Sequence, residues 1–167
     1  MDNLEIIQQV LAQHQVIMGQ LKSAGDTVSD MEALLRLETA RTDLTMGFQQ
    51  TLAEKQRQLE KMIEPIDQGL RKHYAFEEEM LPPLLGPILT EALIFEHKQL
   101  LLLMEQTTTF VKGIGVQGLI RAEEMKNESL IYDRLDNLRR HKLDHLNREE
   151  AVLLTLQNVI EVKAKTH

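Results

Sequence analysis

The stretch "RKHYAFEEEMLPPLLG", residues 71–86, places His73 four residues before Glu77 in a run whose remaining spacing is largely apolar. The arrangement returns in "RRHKLDHLNREEAVLLTLQ", residues 139–157, at His145 and Glu149. Aligned on their histidines, both read H-x3-E-E-x2-L-x2-L. On a helix, residues four apart lie one turn apart on the same face. Each stretch therefore presents an imidazole and a carboxylate on a face otherwise made for burial.

Working outward, the whole chain reads as helix. Glycine and proline are sparse, aromatics make up 4 %, and Leu, Met, Gln, Glu and Lys dominate, residues that lose little side-chain freedom in a helix. Apolar positions recur in alternating steps of three and four, the mark of a bundle or coiled-coil seam. The first seam runs Ile7, Val10, His14, Ile17, Leu21, Ala24, Val28, Met31, Leu35. The second runs Phe48, Leu52, Leu59, Ile63, Ile66, Leu70, His73, Glu77, interrupted at Gln56, with Pro65 as a candidate bend. The third runs Leu89, Leu93, His97, Leu100, Met104, Val111, opened by Gly86 and Pro87. The fourth runs Ile131, Leu135, Leu138, His145, Glu149, Val152, Leu156, Val159. The expectation is an all-α, up-down-up-down four-helix bundle with one histidine on every seam.

Level-matching sets the turns. An antiparallel pair with His14 opposite His73 reverses near residues 43 and 44, at "ARTDLTMG", where Asp43 can cap a helix. A break at "SAGDTVSDME", where Ser29 and Glu32 form a possible capping box, is the alternative. The seam keeps its phase across it, which favours a long hairpin of helices over 3–40 and 43–82. Opposing His97 to His145 puts the second reversal near residue 121, just after the glycines of "KGIGVQGL", and gives the fourth helix an irregular first portion.

Composition narrows the function. The 167 residues, 43 % apolar and 27 % charged, suit one domain spanning 1–167. A net charge of −7 argues against nucleic acid or an anionic membrane as a partner. Cysteine is absent, which excludes disulfides, thiolate metal sites and thiol nucleophiles. "MDNLEIIQQVLAQ" lacks a basic n-region, and the apolar run "LLLLM" is too short to span a bilayer, so a cytoplasmic location is expected.

Bundle topology brings the four seams together, so His14, His73, Glu77, His97, His145 and Glu149 converge if their levels match. Buried polar groups must be paired or bound, and imidazole with carboxylate suits iron, zinc or manganese. Six side chains exceed one tetrahedral zinc. They divide between two ions, each carboxylate bridging both and two histidines at each. The ferritin-like alternative requires Glu-x-x-His, which occurs nowhere in the chain.

The ordered set, lone His, His-x3-Glu, lone His, His-x3-Glu, resembles the hemerythrin-like family of HHE cation-binding domains. The resemblance covers essentially the whole chain, through "HYAFEEEMLPPLL", "FEHKQLLLLM" and "HLNREEAVLL". It implies a non-haem di-iron centre, oxo- or hydroxo-bridged, with Glu77 and Glu149 as bridges. One iron would take His14 and His73, the other His97 and His145. Relative to oxygen-carrying members, Leu101 stands where a further histidine is expected, and Glu149 replaces a later aspartate. Tyr74, Glu78 and Glu96 are the neighbours to examine as substitutes, Tyr74 also as a catalytic candidate. Manganese or zinc would suit the same donors.

The resemblance implies binding or reaction with dioxygen, peroxide or nitric oxide, in sensing, carriage or detoxification, and peroxidase, catalase-like or oxidase activity if the centre turns over. A helical interaction or regulatory module, or an iron-handling protein that exchanges its metal, is the competing reading. The extended hairpin is a candidate homodimer or partner contact. His141 is expected at the surface or supporting a ligand, Glu79 in solvent, and His167 without a role. Leu100 to Leu103, Phe76 and Phe95 are candidates for the apolar shell.

Overall fold

The computed structural model describes residues 1–39, 46–113, 115, 118 and 130–165. Among them are four long helices and no strand: α1 (Asn3–Thr39), α2 (Met46–Met80), α3 (Pro82–Gly113) and α4 (Leu130–Lys165). α1 packs on α2 and α4, and α3 packs on α2 and α4, which is the expected up-down-up-down bundle. Asp43, His167 and most of the link before α4, including the proposed irregular portion, lie outside the described residues.

α1 begins with a reciprocal cap: the Asp2 carboxylate accepts from the Glu5 backbone N–H and the Glu5 carboxylate from that of Asp2, each at 2.8 Å. It then runs unbroken through the suspected break at 25–32. Ser29 donates its hydroxyl to the Gly25 carbonyl at 3.1 Å, bonding back along the helix rather than capping a new one. Pro65 lies inside α2 without dividing it.

α3 is two helical pieces joined at Gly86, whose φ of 72° and ψ of 173° belong to a region open essentially to glycine. Before it, Leu84 and Leu85 donate to the Leu81 carbonyl at 2.9 and 3.0 Å; after it, Pro87 opens the longer piece, as the sequence suggested. No side chain would collide at Gly86, so the cost of substitution is conformational. Gly86→Ala is expected to destabilise the fold by about 1–3 kcal/mol, read as a lower denaturation midpoint with an unchanged slope.

The seams form two apolar clusters separated by a polar layer. The longer cluster includes Leu21, Val28 and Met31 of α1, Leu52, Leu59 and Ile63 of α2, Met104 of α3 and Leu138 of α4. The shorter joins Ile6, Ile7, Val10, Leu81, Leu93 and Leu153. Three expectations need correction. Leu89 and Val159 are nearly half exposed, although Leu93 and Ile160 close by pack on the shorter cluster. On α4 the buried positions after Glu149 shift to Leu153, leaving Val152 and Leu156 partly buried. Phe95 and Leu102 are largely exposed rather than enclosed in an apolar shell around the polar layer. Among the described residues, no helix is long and apolar enough to cross a membrane.

Candidate metal centre

His14, His73, Glu77, His97, His145 and Glu149 are all buried and meet in the layer between the two clusters. Donor atoms of His14, His73, Glu77 and Glu149 lie within 4.8 Å of one another, as do those of Glu77, His97 and His145. Glu77 belongs to both groups. Its Oε1 stands 3.2 Å from His14 Nε2 and 2.8 Å from His73 Nε2, while its Oε2 stands 3.2 Å from His97 Nε2. Glu149 Oε2 lies 3.4 Å from His14 Nε2 and 3.3 Å from His145 Nε2. Every histidine thus turns Nε2 inward, toward carboxylate oxygens.

The outward nitrogens explain this orientation. His73 Nδ1 pairs with Gln13 Oε1 at 2.8 Å, and His145 Nδ1 with Glu96 Oε2 at 2.7 Å. His97 Nδ1 pairs with Glu78 Oε1 at 2.9 Å, and His14 Nδ1 with Glu150 Oε1 at 3.2 Å. All four partners are acceptors, so each Nδ1 carries the proton. In the neutral ring that leaves a lone pair on Nε2 facing the interior, the state a metal ligand needs. The pattern follows the sequence repeat. The second glutamate of each H-x3-E-E motif serves the lone histidine of another helix, and the residue before each lone histidine serves a motif histidine.

Glu78 and Glu96 therefore do not face the interior as substitute ligands; they hold His97 and His145 from outside. Glu96 is further tied to Arg148 at 3.0 Å. Burial alone would raise its pKa, and the contacts to His145 and Arg148 reverse that. His141 is exposed, its Nδ1 bound to the Asn137 carbonyl at 2.9 Å, and touches no ligand in this set. Glu79 is exposed, as expected.

The convergent donor atoms suit a cation. Burial pushes the Glu77 carboxyl up, but its histidine contacts, the protonated His14 foremost, outweigh it and hold it far below the usual range. Burial raises Glu149. It lowers His73, and it lowers His145 to about 4, with Lys142 adding to the effect, so both rings are neutral near pH 7. His14 is the exception: burial lowers it, yet Glu149 and Glu77 lift it to about 9. Among the described residues, His73 Nε2, His97 Nε2, His145 Nε2, Glu77 Oε2 and both Glu149 oxygens lack any hydrogen-bond partner. Convergent lone pairs without donors repel one another, and one or more cations among them would remove the penalty.

Two residues in the neighbouring layer matter as well. Tyr74 is buried and stacks on the His97 ring at 3.9 Å, with its hydroxyl unpartnered among the described residues. Burial drives its phenol well above its usual range. Lys142 is fully buried 4.5 Å from the Tyr74 ring centroid; burial lowers its pKa to about 8 against the pull of Glu77 and Glu149. Sequence reading missed Lys142, although Leu138, Lys142, His145 and Glu149 continue the four-three-four spacing of a seam. It also missed the supports Gln13 and Glu150.

Two clefts between α3 and α4 reach the centre. One, of about 260 Å³, is lined by Gln99, Asn137, His141 and His145; the other, of about 240 Å³, by Leu85, Leu89, Leu93, Glu149 and Val152. Glu96 and Arg148 line both.

No curated protein and no solved structure matches the chain. A family profile described as the hemerythrin HHE cation-binding domain matches residues 5–156. With that match running almost end to end, over a four-helix bundle with histidines and glutamates gathered at its core, the chain belongs to the hemerythrin HHE cation-binding family.

Proposed function

We propose that the chain is a single domain holding a dinuclear non-haem iron centre, through which it binds or reacts with a small oxidant or diatomic molecule: dioxygen, peroxide or nitric oxide. The observation that carries this reading is Glu77, whose two oxygens face different histidines, His14 and His73 on one side and His97 on the other. A carboxylate so placed suits two ions rather than one. His14 and His73 would hold the first, His97 and His145 the second, with Glu149 as the other bridge.

Iron bound there would supply Lewis-acid and redox chemistry. The protein's own part follows from the packing. Gln13, Glu78, Glu96 and Glu150 fix the ring orientations before any metal arrives, so little reorganisation accompanies binding. The apolar clusters on either side keep water from the layer. The clefts give small molecules a path along His145, with Glu96 and Arg148 at their common border.

Iron analysis of protein expressed under iron-replete conditions is the direct test. The expected result is about two irons per chain with near-ultraviolet absorption that shifts on adding azide. Less than about one iron per chain, without such absorption, would overturn the di-iron reading in favour of a helical interaction module. Manganese or zinc at the same stoichiometry would keep the ligands and change the chemistry.

A further inference from the structure

Lys142 is a buried charge that none of the proposed ligands requires. Its side chain is fully buried, and its ammonium has no hydrogen-bond partner among the described residues. Tyr74, whose ring face lies under the ammonium at 4.5 Å to its centroid, carries a hydroxyl that is a second buried donor without a partner among the described residues. The ring contacts account for where Tyr74 and the Lys142 stem lie but leave both donors without a hydrogen-bond acceptor among the described residues. When the two motif stretches are aligned on His73 and His145, Lys142 corresponds to Leu70 and Tyr74 to Leu146, both buried leucines. The repeat thus shows that apolar side chains fill this layer, and that two donors have replaced them at the level next to the centre.

Without metal, the carboxylates of Glu77 and Glu149 are the negative charges that act on Lys142. Metal ions would draw those carboxylates to themselves. An ammonium left in the same dry interior would then repel the metal, because Coulomb forces are weakly screened there. That charge is relieved either by loss of the Lys142 proton or by an anion that accompanies the metal, and the second keeps the ammonium as a donor. Tyr74 and Lys142 hold a buried O–H and N–H, unpartnered among the described residues, from which such an anion could accept.

We propose that Lys142, assisted by the Tyr74 hydroxyl, selects a small anionic ligand for the centre, such as hydroperoxide or superoxide, over a neutral diatomic. The proposal rests on the metal-centre reading and names the class of ligand that centre takes. Lys142 acts here through charge and hydrogen bonding on the incoming anion, with no bond made or broken at its own atoms.

The test uses the oxidised iron-loaded protein with azide as the anionic probe, and the reduced iron-loaded protein with nitric oxide as the neutral one, both followed by absorbance. In Lys142→Met, iron per chain is expected to match the wild type while azide affinity falls about 10- to 100-fold, the loss of a charged hydrogen bond. Nitric oxide affinity is expected to stay within about twofold, having no net charge to lose. Tyr74→Phe should weaken azide about 3- to 10-fold, as for a neutral donor. Lys142→Gln, which removes the charge but keeps a polar group, is expected to behave as the methionine variant and stands in if that one does not fold. Azide affinity within about twofold of wild type at equal iron would overturn the assignment. So would equal losses for azide and nitric oxide, which indicate general disturbance, or loss of iron in the lysine variants, which would place Lys142 in metal retention. A wild type that binds no iron would instead remove the metal-centre reading, and this proposal with it.

Discussion

Glu77→Ala is expected to lose both metal ions. Its two oxygens face histidines of both sets, so one truncation removes a donor from each proposed subsite. The remaining Glu149 meets His14 and His145 only, at 3.4 and 3.3 Å. Removing one partner of a buried ion pair leaves the other uncompensated, here the protonated His14, and typically costs about 3–5 kcal/mol. The metal-free variant should therefore also melt well below the metal-free wild type. Glu77→Gln separates the two effects. It preserves volume and much of the packing, yet an amide is a poor replacement for an anionic bridge, so metal should still be lost with a smaller drop in stability. Metal analysis after desalting, with thermal unfolding of the same samples, checks both parts. A Glu77→Gln protein that keeps its full metal complement would remove Glu77 from the centre.

The second large effect is in pH. His14 has a pKa near 9 in the folded metal-free protein, raised from 6.5, so it holds a proton at neutral pH on a nitrogen the metal needs. Metal binding must displace that proton, and affinity should rise about tenfold per pH unit between 6.5 and 8. Stability of the metal-free fold moves the other way. A raised pKa contributes stability that is fully present below 6.5 and is lost as pH climbs through about 9; the full shift corresponds to roughly 3 kcal/mol. Over pH 6.5 to 8 the expected loss is roughly 1.5 kcal/mol. The window avoids two groups of opposite sign. His145, lowered to about 4, gives stability present above 6.5 that is lost as pH falls toward that value. Lys142, lowered to about 8, makes stability rise from there up to its unfolded value near 10.5. Denaturant titrations of metal-free protein at several pH values, beside metal competition with a chelator, read the two slopes together. His14→Gln should flatten the stability slope; a flat wild-type profile would mean His14 is neutral.

Much of this was legible in the sequence because bundle seams repeat at fixed spacing and a histidine on a seam has only one direction to face. The six converging side chains came from that rule alone, before any packing was known. The failures have a common cause. Spacing says which face a residue occupies but not how fully its neighbours cover it, so Leu89 and Val159 read as core although both are nearly half exposed. Nor does it distinguish a carboxylate inside the layer from one reaching it from the rim. Glu77 and Glu78 are neighbours, yet one turns both oxygens to the interior and the other supports His97 from outside. Lys142 was passed over because lysine is so rarely fully buried that a seam position holding one is taken for a gap. Its place in the unbroken spacing from Leu138 to Glu149 was the available signal.

The polar layer lies off-centre in the bundle, and the two unequal clusters beside it have different tasks when the molecule breathes. The short cluster holds the first turns of α1 against Leu81, Leu93 and Leu153, with far fewer apolar side chains than the long one. Local opening takes the weakest cooperative unit first. Release of this short end would uncover His14 and Glu149 while the long cluster stays packed. Metal held in the layer would then enter and leave by partial unfolding at one end, and its exchange rate would follow the short cluster rather than the stability of the fold as a whole.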